Sequence, residues 1–160
     1  MPAASAAAGC CWPGTGFTLN NGLSNFASDP AAANAMAPGK RPATTMAPTI
    51  VFGADRRPEI VAGAGGGAWI IDAVAAGLAE MLGRGAGPQA AVALPRTGAQ
   101  NGAAFLEAGS AAAALEAPLR ALGHAPRVVP VDTGMQALRV TAQGIEGGAD
   151  PRRDGIAPGD

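Results

Sequence analysis

Val61-Ala62-Gly63-Ala64-Gly65-Gly66-Gly67-Ala68-Trp69-Ile70 is where the chain changes its apolar period. Before this stretch, Thr49 to Phe52 and Ile60 to Ala62 are short apolar runs flanking the polar Gly53-Ala54-Asp55-Arg56-Arg57-Pro58, a pattern that predicts two antiparallel strands joined by a turn. After it, Trp69, Ile70, Ala73, Val74, Leu78, Met81 and Leu82 recur at helical spacing until the glycines between 83 and 87. The spacing therefore predicts a strand, a glycine-rich bend and a mostly buried helix in direct succession.

Working outward, Pro88 opens a shorter helical turn that Pro95 must stop, because proline has no N–H and disfavours helix in the residue before it. Leu115, Leu119 and Leu122 have helical spacing, Gly123 is placed as a C-cap, and Pro118 implies a start or a kink. Arg127 to Val131 and Ala137 to Thr141 read as strands, and Gly144 to Gly155 as turn chemistry. Upstream, Ser28 to Pro42 lacks apolar periodicity and reads as a long surface loop rather than a domain boundary. Two strands, three helices and two strands make an α+β chain.

A chain of 160 residues suits one domain, since domains commonly run to about 100 to 150 residues. Of these residues 48% are hydrophobic but only 4% aromatic, so the core must be built from Leu, Ile, Val, Met and much alanine. A net charge of -1 offers no electrostatic footprint for nucleic acid or an anionic membrane. Polyanionic partners and membrane insertion are not expected; the longest apolar run, Ala68 to Ala79, is interrupted by Asp72 and Gly77. With only His124, and with Cys10 and Cys11 adjacent near the N-terminus, no zinc-like ligand spacing can be assembled, and no metal is expected. The alanine run ending in Ala8-Gly9-Cys10 lacks the basic n-region of an export signal.

Two readings of the glycines follow from the residues themselves. Gly63-Ala64-Gly65-Gly66-Gly67-Ala68 satisfies a G-x-G-x-x-A dinucleotide fingerprint. That fingerprint wants an acidic ribose partner about 20 residues on, whereas Ala90 to Leu94 ends at Pro95-Arg96, so an NADP-binding module with arginine on the 2′-phosphate stays open as an alternative. The other is a close packing turn between a strand and a helix.

Pro38-Gly39-Lys40-Arg41-Pro42-Ala43-Thr44-Thr45-Met46-Ala47-Pro48-Thr49-Ile50-Val51, followed by Gly66-Gly67, resembles the small subunit of the γ-glutamyltransferases. Gly14-Thr15-Gly16 with Asn20-Asn21-Gly22-Leu23-Ser24-Asn25-Phe26, then Pro95-Arg96, Leu122-Gly123-His124, Gly134-Met135-Gln136-Ala137 and Asp150-Pro151-Arg152-Arg153-Asp154-Gly155, extend the resemblance in the same order over about 14–159. It implies a partial αββα sandwich of the N-terminal nucleophile hydrolase type, with residues 1–13 a poorly ordered, non-family start and 14–160 the C-terminal part of the small subunit. Gly66 and Gly67 stand where the family's Gly-Gly pair supplies backbone donors to the oxyanion of an acyl-transfer reaction. Thr44 and Thr45 stand where two serines bind the α-carboxylate of the γ-glutamyl donor, and Asn25 where an aspartate helps hold its ammonium. Threonine keeps the hydroxyl and adds a methyl that narrows the pocket.

The sequence also departs from the family. Gly22 replaces a Gln or Glu, and Asn25 an aspartate, so the charge-assisted bond to an ammonium, roughly twice as strong as a neutral one, is lost. A divergent acylase taking another acyl group thereby becomes an expectation of its own. The resemblance further implies a nucleophilic threonine upstream of Gly14, in a segment these residues do not include, and a large subunit that adds an arginine and outer helices. Thr15 and Thr18 are not reassigned as nucleophiles. The chain is then expected to be inactive alone, or to be a non-catalytic remnant or partner subunit that docks to a nucleophile-bearing chain. No cofactor is implied; a periplasmic parent is compatible with the family, and the compartment is otherwise open. Arg96, Arg152 and Arg153 read as structural ion-pair formers, and His124 as a cap or surface histidine.

Overall fold

The computed structural model of the chain describes residues 14–16, 20–99 and 102–159. Cys10, Cys11, the rest of residues 1–13 and Phe17-Thr18-Leu19 lie outside the described residues. The chain divides into two compact units, Met1–Thr45 and Met46–Asp160.

The first unit is held by turns. A 3₁₀ turn at Gly22–Asn25 is followed by an isolated parallel bridge between Ala27 and Ala35. The Ala27 N–H donates to the Asn34 carbonyl at 2.9 Å, and Asp29 closes the intervening turn by accepting the Ala31 N–H on Oδ1 at 2.9 Å. Proline, asparagine and small residues at this density favour such local bonding over ladders.

The second unit is α+β. The predicted hairpin forms as β1 (Thr49–Phe52) and β2 (Pro58–Gly65), with Thr49 opposite Ala62 and Ile50 opposite Val61. The predicted helix follows as α1 (Ile70–Gly83), entered through a 3₁₀ turn at Gly67–Trp69, and the proline-bounded helix as α2 (Pro88–Val92). Two short strands that carry too little apolar pattern to be read from sequence come next, β3 (Thr97–Ala99) and β4 (Ala104–Glu107). Then come a 3₁₀ turn at Ala111–Leu115, α3 (Glu116–Ala121), β5 (Arg127–Val129), β6 (Gly134–Thr141) and β7 (Gly144–Ala149). Pro118 sits in the first turn of α3, where its missing N–H costs nothing. Beyond that helix, the His124 N–H reaches the Leu119 carbonyl at 3.0 Å, so His124 is an exposed residue closing a helix C-cap.

The reading of Gly144 to Gly155 as turn is corrected: its first six residues are strand β7, paired with β6 from Thr141↔Gly144 to Gln136↔Ala149. The glycines there answer a packing demand. A Cβ on Gly148 would lie 2.5 to 2.6 Å from the backbone of Pro88 and Gln89, so the strand must be bare for α2 to rest on it. The Gln89 side chain completes the join, accepting the Ala149 N–H and donating to its carbonyl, both at 3.1 Å.

Among the described residues the strands form an antiparallel sheet ordered β1-β2-β6-β7 and a smaller sheet ordered β3-β4-β5, parallel only between β4 and β5. Helices α1 and α2 cover one face of the larger sheet, burying Ile60, Ala62, Val74, Met81, Val92, Met135 and Ala137 in one cluster. On the opposite face, register aligns Ile50, Val61 and Leu138 in one row and Val140 with Ile145 in the next, all exposed. Among the described residues of this unit, Ile156–Gly159 line a groove on that face together with Val61, Leu138 and Ile145. Among the described residues no helix is long and apolar enough to cross a membrane.

Candidate functional site

The glycine turn stands at the end of the central strand pair. The β2–β6 ladder has its last partners at Gly65↔Gly134, so Gly66 and Gly67 follow directly after it, where the chain turns into the 3₁₀ turn at Gly67–Trp69. Gly66 has φ +137° and Gly67 φ +64°, both in the region that L side chains rarely adopt. The two residues lead into the 14-residue α1, whose N-terminal end favours negative charge.

Thr133, just before β6, packs against this turn and is fully buried. Its hydroxyl donates to the Gly66 carbonyl at 3.4 Å, and a Cβ on Gly66 would fall 2.4 Å from Thr133 Oγ1 and 2.7 Å from its Cα. Sequence reasoning passed over Thr133. No local motif marks a threonine whose importance comes from packing against residue 66 just beyond the end of a ladder.

Against the start of β6, where the Met135 N–H donates to Asp150 Oδ2, lies a buried ion cluster. Asp150 Oδ2 pairs with Arg96 Nη2, and Asp150 Oδ1 accepts Arg152 Nη1 at 2.9 Å, while Arg152 Nη2 reaches Glu107 Oε2 at 2.7 Å. Arg96 and Arg152 are thus structural ion-pair formers, as their sequence context implied, and Arg153 makes a longer, exposed pair with Asp132 at 3.7 Å. Burial alone would raise the Asp150 pKa. The Met135 and Arg152 amides, the Arg152 guanidinium and the Arg96 charge outweigh it and hold the carboxyl below its ordinary value. Burial would raise Glu107 too, but hydrogen bonds from Arg152 and from the Arg96 amide leave it lowered. Burial lowers Arg96, and the Glu107 bond raises Arg152.

The remaining predicted site residues belong to the first unit. Asn25 ends the Gly22–Asn25 turn with an exposed side chain, Thr44 is exposed and Thr45 half-buried in the extended segment that closes this unit. Asn25 and Ala43, the residue before Thr44, are brought together by Asn34. Its Nδ2 donates to the Asn25 carbonyl at 2.7 Å, and its Oδ1 accepts the Ala43 N–H at 3.0 Å. Gly22 is shaped by its neighbour: its N–H donates to Asn20 Oδ1 at 2.9 Å, which occupies the space a side chain there would enter.

The dinucleotide alternative is overturned by topology. Both neighbours of β2 are antiparallel, whereas the fingerprint belongs to a parallel βαβ crossover. The parallel β4–β5 pair in this chain does not contain the glycines. Among the described residues no group of three or more His, Cys, Asp or Glu could hold a metal ion.

Comparison with known proteins agrees with this topology. The family model described as gamma-glutamyltranspeptidase matches residues 6–159. A glutathione hydrolase proenzyme of Bacillus subtilis is 33% identical over 150 residues, covering 92% of this chain and 25% of that protein. The acylase ACY 1 proenzyme of Pseudomonas sp. strain SE83 is 33% identical over 148 residues, covering 89% of this chain and 26% of that protein. Among solved structures, a gamma-glutamyltranspeptidase from Pseudomonas nitroreducens complexed with L-DON superposes with a TM-score of 0.81 at 26% identity, over 96% of this chain and 87% of that one. The chain spans about a quarter of the length of these curated relatives.

Proposed function

Because the chain belongs to the gamma-glutamyltranspeptidase family and has a partial α+β fold of its N-terminal nucleophile hydrolase type, we propose that it supplies the oxyanion donors and part of the acyl-donor pocket for acyl transfer from, or hydrolysis of, γ-glutamyl compounds such as glutathione. The observation that carries this reading is the Gly66–Gly67 turn: two residues past the last ladder pair, in conformations open to glycine, entering a long helix. Donors of this kind commonly supply roughly 3 to 4 kcal/mol of transition-state stabilisation. Thr44 and Thr45 offer hydroxyls to the donor's carboxylate and Asn25 a neutral amide to its ammonium.

The attacking threonine comes from a partner segment outside these 160 residues, with its own α-amino group as base. Two features support a partner: the curated relatives are proenzymes several times longer, and the apolar face of the larger sheet is open within its unit. Without that threonine, binding and oxyanion donors leave only a small residue of activity.

A second reading is favoured by one feature. Gly22 and Asn25 remove the charged partners of the donor ammonium, and an acylase is among the relatives. An acyl group without an α-amino substituent would then be preferred.

The test is to assemble this chain with a nucleophile-bearing polypeptide of the family and compare a γ-glutamyl anilide with its analogue lacking the α-amino group. Turnover of the anilide supports the first reading, and preference for the analogue the second. No turnover of either by the assembled complex makes the chain a non-catalytic docking partner.

A further inference from the structure

Asn25 and Thr44 are 19 residues apart in sequence and lie in a unit of turns, so something must hold their separation fixed. The Asn34 carboxamide bridges the two segments by bonds that each span nine residues, to the Asn25 carbonyl at 2.7 Å and from the Ala43 N–H at 3.0 Å. We propose that Asn34 is the positioning residue of the acyl-donor pocket, setting the distance between the Asn25 and Thr44-Thr45 sides. The proposal rests on the donor-pocket reading above.

The chemistry calls for a carboxamide of this length. One partner is a carbonyl and the other an N–H, and a carboxamide presents a donor and an acceptor in one plane; those partners also fix which way round the amide sits. Aspartate keeps the acceptor for Ala43 and sets a carboxylate against the Asn25 carbonyl. Leucine has neither group, and glutamine is one methylene too long for both bonds at once.

Asn34 is itself held. Its carbonyl accepts the Ala27 N–H at 2.9 Å, Ala35 bridges Ala27, and the Ala35 N–H donates to the Ala32 carbonyl at 2.9 Å. Lys40 Nζ fastens the descending arm to the Ala33 carbonyl. The backbone of residue 34 is therefore fixed by bonds its side chain does not make, and replacing the side chain removes the bridge while leaving the turn.

Two measurements test this on the full chain and its assembled complex. Amide exchange comes first, because it does not depend on activity. Asn34→Leu should lower protection at Ala43 by about tenfold while Ala27 stays unchanged, and Asn34→Asp should preserve protection at Ala43. Kinetics on the γ-glutamyl anilide come second. Asn34→Leu should raise KM about tenfold with kcat within about twofold, and Asn34→Asp should raise KM despite intact Ala43 protection. Unchanged Ala43 exchange in Asn34→Leu overturns the bridge. An unchanged KM, or kcat falling with KM fixed, overturns the positioning role. If the unsubstituted complex turns over no donor, the donor-pocket reading fails, and the exchange result alone decides the bridge.

Discussion

Asp150 and Met135 exchange two hydrogen bonds: the Asp150 N–H donates to the Met135 carbonyl at 3.1 Å, and the Met135 N–H donates to Asp150 Oδ2 at 2.9 Å. Both residues are fully buried. The pair fixes the start of β6, where Gly134 faces Gly65 and Thr133 faces Gly66. The ion cluster at residues 96, 107, 150 and 152 thus anchors the strand against which the glycine turn is shaped, and its charges are structural.

Asp150→Asn should therefore cost about 3 to 5 kcal/mol, because it leaves the Arg96 charge buried without its carboxylate. Arg96→Met should cost less, since Arg152 still faces Asp150. Urea unfolding followed by circular dichroism measures both, and equal losses would contradict this ordering.

Stability should also respond to acid. Asp150 and Glu107 have folded pKa values below their ordinary ones, so the stability they contribute is complete above the unfolded carboxylate range of about 3.9 to 4.3 and is lost as pH falls through the lower folded values. The contribution of these two carboxylates to the unfolding free energy should be flat from about pH 8 to pH 5 and decline below about pH 4. The Asp150→Asn variant should show a shallower decline over the same window.

Gly66 and Gly67 should differ under alanine substitution. Gly67→Ala meets nothing within 4 Å and should cost only the left-handed strain, about 1 to 2 kcal/mol. Gly66→Ala adds a collision with buried Thr133 and should cost about 2 to 4 kcal/mol. Thr133→Ala should rescue the latter only in part, since the contact with the Thr133 Cα at 2.7 Å remains. Thermal unfolding of the three variants reads this directly.

Gly148→Ala should destabilise by about 1 to 3 kcal/mol, because the new methyl would meet the backbone of Pro88 and Gln89, which cannot swing away. Gln89→Ala, which removes only the two bonds to Ala149, should cost about 1 to 2 kcal/mol. A Gly148→Ala variant as stable as the parent would refute the packing account of β7.

Local pattern carried much of this protein in its sequence. Short apolar runs flanking the polar Gly53–Pro58 segment specified the β1–β2 hairpin, helical spacing specified α1, and proline placement bounded α2. Periodicity acts within a few residues and needs no distant partner to be legible. Resemblance of ordered motifs named the family and nominated Asn25, Thr44, Thr45, Gly66 and Gly67.

Tertiary structure decided what depends on contacts between residues far apart in the chain. Strand β7 is glycine-rich because helix α2 lies against it, so its composition imitates a turn until the helix is in place. The antiparallel neighbours of β2 removed the dinucleotide reading, which six residues alone had satisfied. Asn34, Thr133 and Asp150 carry no local signature, since each matters through partners 9, 67 and 15 positions away. A residue's periodicity is a property of its neighbours along the chain, whereas a buried hydrogen bond is a property of whichever groups folding brings within bonding distance.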